Sequence, residues 1–148
     1  MPQSYTDLVV HLVFSTKDRQ EQIIDALQDP LYAYIGGICR NLDCDLIAIG
    51  GMPDHVHLLV LRHPTVAEAE LARVVKANSS KWLHGQHAAD FRWQRGYGAF
   101  TVSRSNVEKV KRYILNQAVH HKRLTFKEEL IAFLKRHGVK YDERYIWE

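Results

Sequence analysis

Cysteine is scarce in this chain of 148 residues: only Cys39 and Cys44 occur, and their spacing is not that of a C-x-x-C site. That excludes a disulfide framework and a zinc knuckle, and leaves two reduced thiols, Cys39 in a helix and Cys44 near a strand start. No apolar run approaches the roughly 18 residues that a membrane span needs, and no basic segment followed by an apolar stretch opens the chain. We therefore expect no membrane span, no secretory signal and a cytoplasmic protein. Charge of one sign is not in large excess either. A formal net charge of +3 permits nucleic-acid binding without demanding it. With no low-complexity segment, repeat or linker, and with 46% apolar and 25% charged residues, the sequence reads as one globular domain over residues 1–148.

What is present is concentrated in Pro53-Asp54-His55-Val56-His57-Leu58-Leu59-Val60. In a strand, side chains alternate between faces, so His55 and His57 look the same way while Val56, Leu58 and Val60 face a core. Two imidazoles on one face are half of a metal site. A second constellation, Tyr113-Ile114-Leu115-Asn116-Gln117, places a phenol and an amide four residues apart, on one face of what reads as a helix.

The elements around these motifs follow from spacing and turn chemistry. Leu8 to Phe14 is dense in strand formers. Asp29-Pro30 resembles a helix start, followed by Leu31, Ile35, Ile38 and Leu42 at helical intervals. Leu46 to Ile49 and the His55 run form a hairpin across Gly50 to Asp54. Thr65-x-x-Glu68, Ser105-x-x-Glu108 and Thr125-x-x-Glu128 match the capping box and predict three further helix starts, with a strand over Tyr97 to Val102 and the last helix ending near Gly138. The order β-α-β-β-α-β plus C-terminal helices predicts an α+β, ferredoxin-like antiparallel sheet with helices on one face, the added helices carrying Tyr113. The first and third strands then lie together at the centre. His11 neighbours the His55 strand as a packed or surface imidazole.

Nitrogens of His55 and His57 with the side-chain oxygen of Gln117 suit a divalent cation such as Mg²⁺ or Mn²⁺ and leave positions open for a phosphate oxygen. Tyr113, with an ordinary pKa near 10, needs that help to attack a phosphodiester. Exchange of one ester for another conserves bond energy, so the strand can be rejoined without a nucleotide cofactor. Basic residues near element ends, Lys17, Arg19, Arg92, Arg95 and Arg104 among them, stand near Trp82, Trp93 and Tyr97, a composition that suits single-stranded nucleic acid.

Four blocks in one order resemble the IS200/IS605-type transposases, single-domain tyrosine nucleases of the HUH group: His11 to Lys17, Gly51 to Leu59, Trp93 to Phe100, and Tyr113 to Gln117. The resemblance implies that His55 and His57 are metal ligands, that Gln117 is the third, and that Tyr113 is the nucleophile of a 5′-phosphotyrosine intermediate. It implies a divalent metal, Mg²⁺ or Mn²⁺, and single-stranded DNA hairpins at element ends as substrate. It also implies a homodimer in which the Tyr113 helix can cross to a neighbour, through the segment joining Phe100 to Asn106. Two other readings compete. One is a hairpin-binding protein without turnover, related to repetitive-palindrome-associated transposases. The other is a metallohydrolase that activates water on His55, His57 and one of His120 or His121.

Overall fold

The computed structural model describes residues 3–120 and 124–147, with the side chain of His120 excepted. His121 and the His120 side chain, the further ligands considered for a water-activating site, lie outside the described residues.

Strand β1 (Val9–Ser15) is buried at all seven positions because it lies inside the sheet with a helical layer on each side. It pairs antiparallel with β3 (His55–Leu61), from Val9↔Leu61 to Ser15↔His55. β2 (Asp45–Met52) flanks β3 and β4 (Gly98–Thr101) flanks β1, both antiparallel. The sheet order β2-β3-β1-β4 puts the first and third strands at the centre, as expected of a ferredoxin-like α+β fold.

Alternation along the two central strands divides the molecule. Val10, Leu12, Phe14, Val56, Leu58 and Val60 point to helices α1 (Asp25–Asn41) and α2 (Glu68–His84), where Leu31, Ile35, Leu71 and Val75 are fully buried. Burying a side chain of that size contributes about 1.5–3 kcal/mol. The opposite face receives α3 (Val107–Leu115), which packs Val107 and Ile114 on Val9, Ala48 and Leu59. It also receives α5 (Phe126–Arg136), which packs Phe126, Leu130 and Leu134 on Val13 and Phe100. Gly50 permits this close approach: a methyl there would run into the main-chain carbonyl of Ile114.

Two helix starts differ from the sequence reading. α1 begins at Asp25, not at Pro30, which lies within the helix; Pro30 and Ala26 are exposed, so water can serve the carbonyl that proline's missing N–H leaves without a donor. Thr65 does not cap α2, whose N-cap is Ala67; its hydroxyl meets His63 Nδ1 at 2.7 Å instead. α3 starts where expected, after a 3₁₀ turn at Arg104–Asn106, without a side-chain cap. The Thr125–Glu128 capping box is formed in full.

The Tyr113 helix also stops short of Gln117. Asn116 (φ −105°, ψ 28°) leaves helical geometry, and its N–H is shared between the carbonyls of Arg112 and Tyr113. A short helix α4 (Gln117–His120) follows. Among the described residues no helix is long and apolar enough to cross a membrane. Cys39 and Cys44 are buried free thiols, and burial pushes the Cys39 thiol up to about 12, which makes it a packing residue and not a nucleophile.

Candidate functional site

His55 and His57 are both completely buried on the face covered by α3 and α5, because their odd positions in β3 point away from the α1 and α2 core. Each ring has one nitrogen held from behind. Asp54 Oδ1 lies 2.7 Å from His55 Nδ1; a carboxylate only accepts, so Nδ1 carries the proton and Nε2 is left to face inward. His57 Nδ1 meets His11 Nε2 at 2.8 Å. His11 is buried, and that burial, ahead of the nearby His57, pulls it down to about 3. It is therefore a neutral ring able to give or take one hydrogen bond. A partner on the far nitrogen is what fixes the orientation and tautomer of a ligating histidine.

Two groups meet the inward nitrogens. Gln117 Oε1 is 3.1 Å from His55 Nε2. Glu129 Oε1 is 2.8 Å from His57 Nε2 and 3.5 Å from His55 Nε2. The other oxygen of Glu129 accepts a short hydrogen bond from the Tyr113 hydroxyl. Burial first, and then the hydrogen bond and charge of Glu129, hold the Tyr113 phenol above its ordinary value. The ring of Tyr113 stands edge-on to His57, with centroids 5.9 Å apart.

This donor set fits a divalent cation. One ligand atom each from His55, His57 and Glu129 lies within 4.8 Å of the others, and Gln117 adds an amide oxygen. With Nδ1 of His55 occupied by Asp54, its Nε2 lone pair, the amide oxygen and the carboxylate all converge as electron donors. A cation among them satisfies all at once. Two imidazoles and two oxygens do not distinguish Mg²⁺ from Mn²⁺.

A cavity of about 270 Å³ opens beside Tyr113, lined in part by His11, Ser103, Lys109, Phe133, Arg136 and His137. Its cations suit a phosphodiester near the phenol. Of the basic residues singled out by sequence, Lys17, Arg19, Arg92 and Arg95 gather around a second cavity of about 680 Å³ with Trp93 and Trp147. Arg104 stands apart, at the opposite end of β1, with its guanidinium on the Asp7 carboxylate.

Tyr113, Gln117, His55 and His57 thus come together from one chain. Glu129 was not anticipated. Its signal was there in the sequence: the face of α5 running through Phe126, Leu130, Phe133 and Leu134 is apolar, and an acid set among them at position 129 has no reason to be buried unless something cationic or protic receives it. The hold of Asp54 on its neighbour His55 was not anticipated either, and the expected nearness of His11 to the His55 strand became a direct contact with His57 only through the register of β1 against β3.

Comparison with known proteins gives a consistent picture. Residues 4–117 match the family model described as "Transposase IS200 like". The ISDra2 transposase TnpA of Deinococcus radiodurans is 25% identical over 117 residues, which are 74% of this chain and 84% of that protein. A crystal structure of a Deinococcus radiodurans protein described as a transposase superposes with a TM-score of 0.63 at 26% identity, covering 79% of this chain and 96% of that one. The structure of a REP-associated tyrosine transposase bound to a REP hairpin shares the fold, with a TM-score of 0.55 at 14% identity over 77% of this chain and 67% of that one. The family match ends at Gln117, so α5 and its Glu129 lie beyond the matched residues.

Proposed function

Because the chain belongs to the IS200-like transposase family, we propose that it cuts and rejoins single-stranded DNA at hairpin-marked ends, with Tyr113 as nucleophile and a divalent metal, Mg²⁺ or Mn²⁺, held by His55, His57, Glu129 and Gln117. The observation that carries this reading is the meeting of Tyr113 with the two histidines across one carboxylate, Glu129. A phenol that donates its hydrogen bond to a buried acid, beside two imidazoles, has a proton acceptor within reach of its reacting oxygen.

The phenolic oxygen of Tyr113 bonds to the phosphorus, the bond from phosphorus to the 3′ oxygen breaks, and the 3′ hydroxyl leaves while the DNA remains attached as a 5′-phosphotyrosine. Glu129 takes the phenolic proton at Oε2, and the departing 3′ oxygen takes its proton from solvent water. A bound cation supplies Lewis acidity, drawing charge from the phosphodiester and favouring the phenolate. Lys109 and Arg136 hold the flanking phosphates, and His11 and Asp54 keep the two ligating rings in orientation. The later reversal, with a 3′ hydroxyl attacking the phosphotyrosine, rejoins a strand without a nucleotide cofactor.

The Tyr113 ring stands edge-on to His57 of its own chain, which supports a cut made with the groups of one chain. A homodimer is then proposed for pairing two DNA ends, with exchange of the Tyr113 helix through residues 100–106 as the route to strand transfer. Hairpin recognition is extended from the fold neighbour, which is bound to one.

Incubation with labelled hairpin oligonucleotides and Mg²⁺ or Mn²⁺, followed by denaturing electrophoresis, tests the reading. A labelled protein band that vanishes in Tyr113→Phe is expected. Cleavage without the band would replace the nucleophile by activated water, and binding with neither would leave a hairpin-binding protein without turnover.

A further inference from the structure

Past Ser15, where β1 leaves the sheet, the chain turns sharply. Asp18 and Arg19 both adopt left-handed backbone, with φ of 57° and 55°, a conformation that residues carrying a Cβ rarely take. The turn is held from several sides: Thr16 Oγ1 donates to the Gln20 carbonyl at 2.6 Å, and the Lys17 N–H donates to the Arg92 carbonyl at 2.8 Å. The result joins two basic segments, residues 17–19 and 92–95, around the cavity of about 680 Å³. Among the described residues none of Lys17, Arg19, Arg92 and Arg95 is paired with a carboxylate, and Asp18 is the one acid in the lining.

The two tryptophans of this cavity differ. Trp93 is committed to the core: it is buried, stands edge-on to Phe14 and Phe91, and donates from Nε1 to Ser79 Oγ at 3.0 Å. Trp147 is half-buried: it packs in part against the cluster of Phe126, Leu130 and Leu134, and the Arg19 guanidinium at 5.5 Å and the Lys127 ammonium at 5.2 Å lie over its ring. An indole with long, flexible cations resting over it suits a nucleotide, the cations swinging aside onto phosphate and the ring receiving a base.

Its position ties the cavity to the site. The Thr16 N–H donates to the Asp54 carbonyl at 2.8 Å, and the side chain of Asp54 holds His55. On the other side, the cavity beside Tyr113 begins at His11, four residues back along β1 from Ser15, or about 13 Å at strand spacing. The two basic cavities therefore flank the His55–Tyr113 centre along one strand.

We propose that the Lys17–Arg92–Trp147 cavity binds the unpaired DNA adjoining the scissile phosphate, with its phosphates on Lys17, Arg19, Arg92 and Arg95 and one base stacked on Trp147. This rests on the DNA-cutting reading above and adds to it where the single strand runs and what grips it. Inside a duplex the base faces are stacked on one another, so an unpaired base is the one free to swing onto Trp147. Neither stacking nor phosphate contact reads base edges, so this grip tolerates many sequences.

Fluorescence anisotropy over a salt series, in the Tyr113→Phe protein, decides the matter with two hairpins of the same stem, one blunt and one with unpaired extensions. Trp147→Ala weakens binding of the extended hairpin about tenfold and leaves the blunt one unchanged, while Trp147→Phe keeps most of the affinity. Arg92→Ala lowers the slope of log affinity against log salt by about 0.7 on the extended probe alone. Equal losses on both probes, or no loss on either, overturn the proposal; should Trp147→Ala fail to fold, Trp147→Phe and Arg92→Ala decide it alone. The Tyr113 adduct, measured separately in the wild-type protein, keeps the two readings distinct. An adduct with an indifferent Trp147 overturns the cavity alone, and an intact Trp147 effect without an adduct overturns the cutting.

Discussion

His11 Nε2 stands 2.8 Å from His57 Nδ1, on the side of the ring opposite Glu129. When His57 gives its Nε2 lone pair to a cation, its proton must sit on Nδ1, and Nε2 of His11, neutral in its buried place, accepts the hydrogen bond from it. Partners of this kind typically account for 10- to 100-fold in metal affinity. His11→Phe, which keeps the ring volume and loses the acceptor, is expected to weaken Mn²⁺ binding by about that factor in a calorimetric titration. Unchanged affinity would reduce His11 to packing.

Glu129→Gln separates charge from shape. The amide still fills the space between Phe126 and Phe133, but it neither takes a proton from Tyr113 nor brings a negative charge to the histidines. We expect the rate of the covalent adduct to fall by about 10²–10⁴, the usual scale for a lost proton acceptor, with the fold retained by circular dichroism. An adduct formed at the wild-type rate would remove Glu129 from the chemistry.

A cation that binds only the folded chain stabilises it by about 2.7 kcal/mol at a hundred times its dissociation constant. The melting temperature should therefore rise with added Mn²⁺, return with chelator, and stay flat in His57→Ala. A rise of the same size in His57→Ala would place the cation elsewhere.

Lys76 gives a pH signature away from the site. Its ammonium donates to the carbonyls of Arg95 and Gly96, and burial pulls it from 10.5 down to about 8. Between these values the unfolded chain holds the proton more tightly than the folded one, so this residue's contribution to stability rises as pH climbs from about 8 to 10.5 and is flat below. Urea midpoints of wild type minus Lys76→Met should increase across that window. A difference that falls or stays level would contradict the assignment.

Much of the architecture was legible because it rests on alternation and spacing. The strands follow from runs of strand formers, the central placing of β1 and β3 from the β-α-β-β-α-β order, and the shared face of His55 and His57 from period-two patterning. Helix starts were less secure, since the capping-box pattern at Thr65 and Ser105 competes with local partners, His63 and Ser103, that the pattern does not contain. The site was half legible. Tyr113 and Gln117 converge even though Asn116 breaks the helix between them, because four residues of near-helical chain still return to one side. Glu129 and His11 act through contacts that exist only after α5 docks and β1 registers with β3. A linear pattern carries no record of such meetings.

The sheet register has a consequence for how this chain tolerates change. Each central strand is two interleaved texts: Val10, Leu12 and Phe14 belong to one compartment, and Val9, His11 and Val13 to the other. A single inserted residue in β1 would transpose them, sending His11 among the aliphatic side chains of α1 and α2 and turning its neighbours toward Glu129. Substitution within either text costs a contact, whereas a shift of one position erases the distinction between scaffold and catalyst.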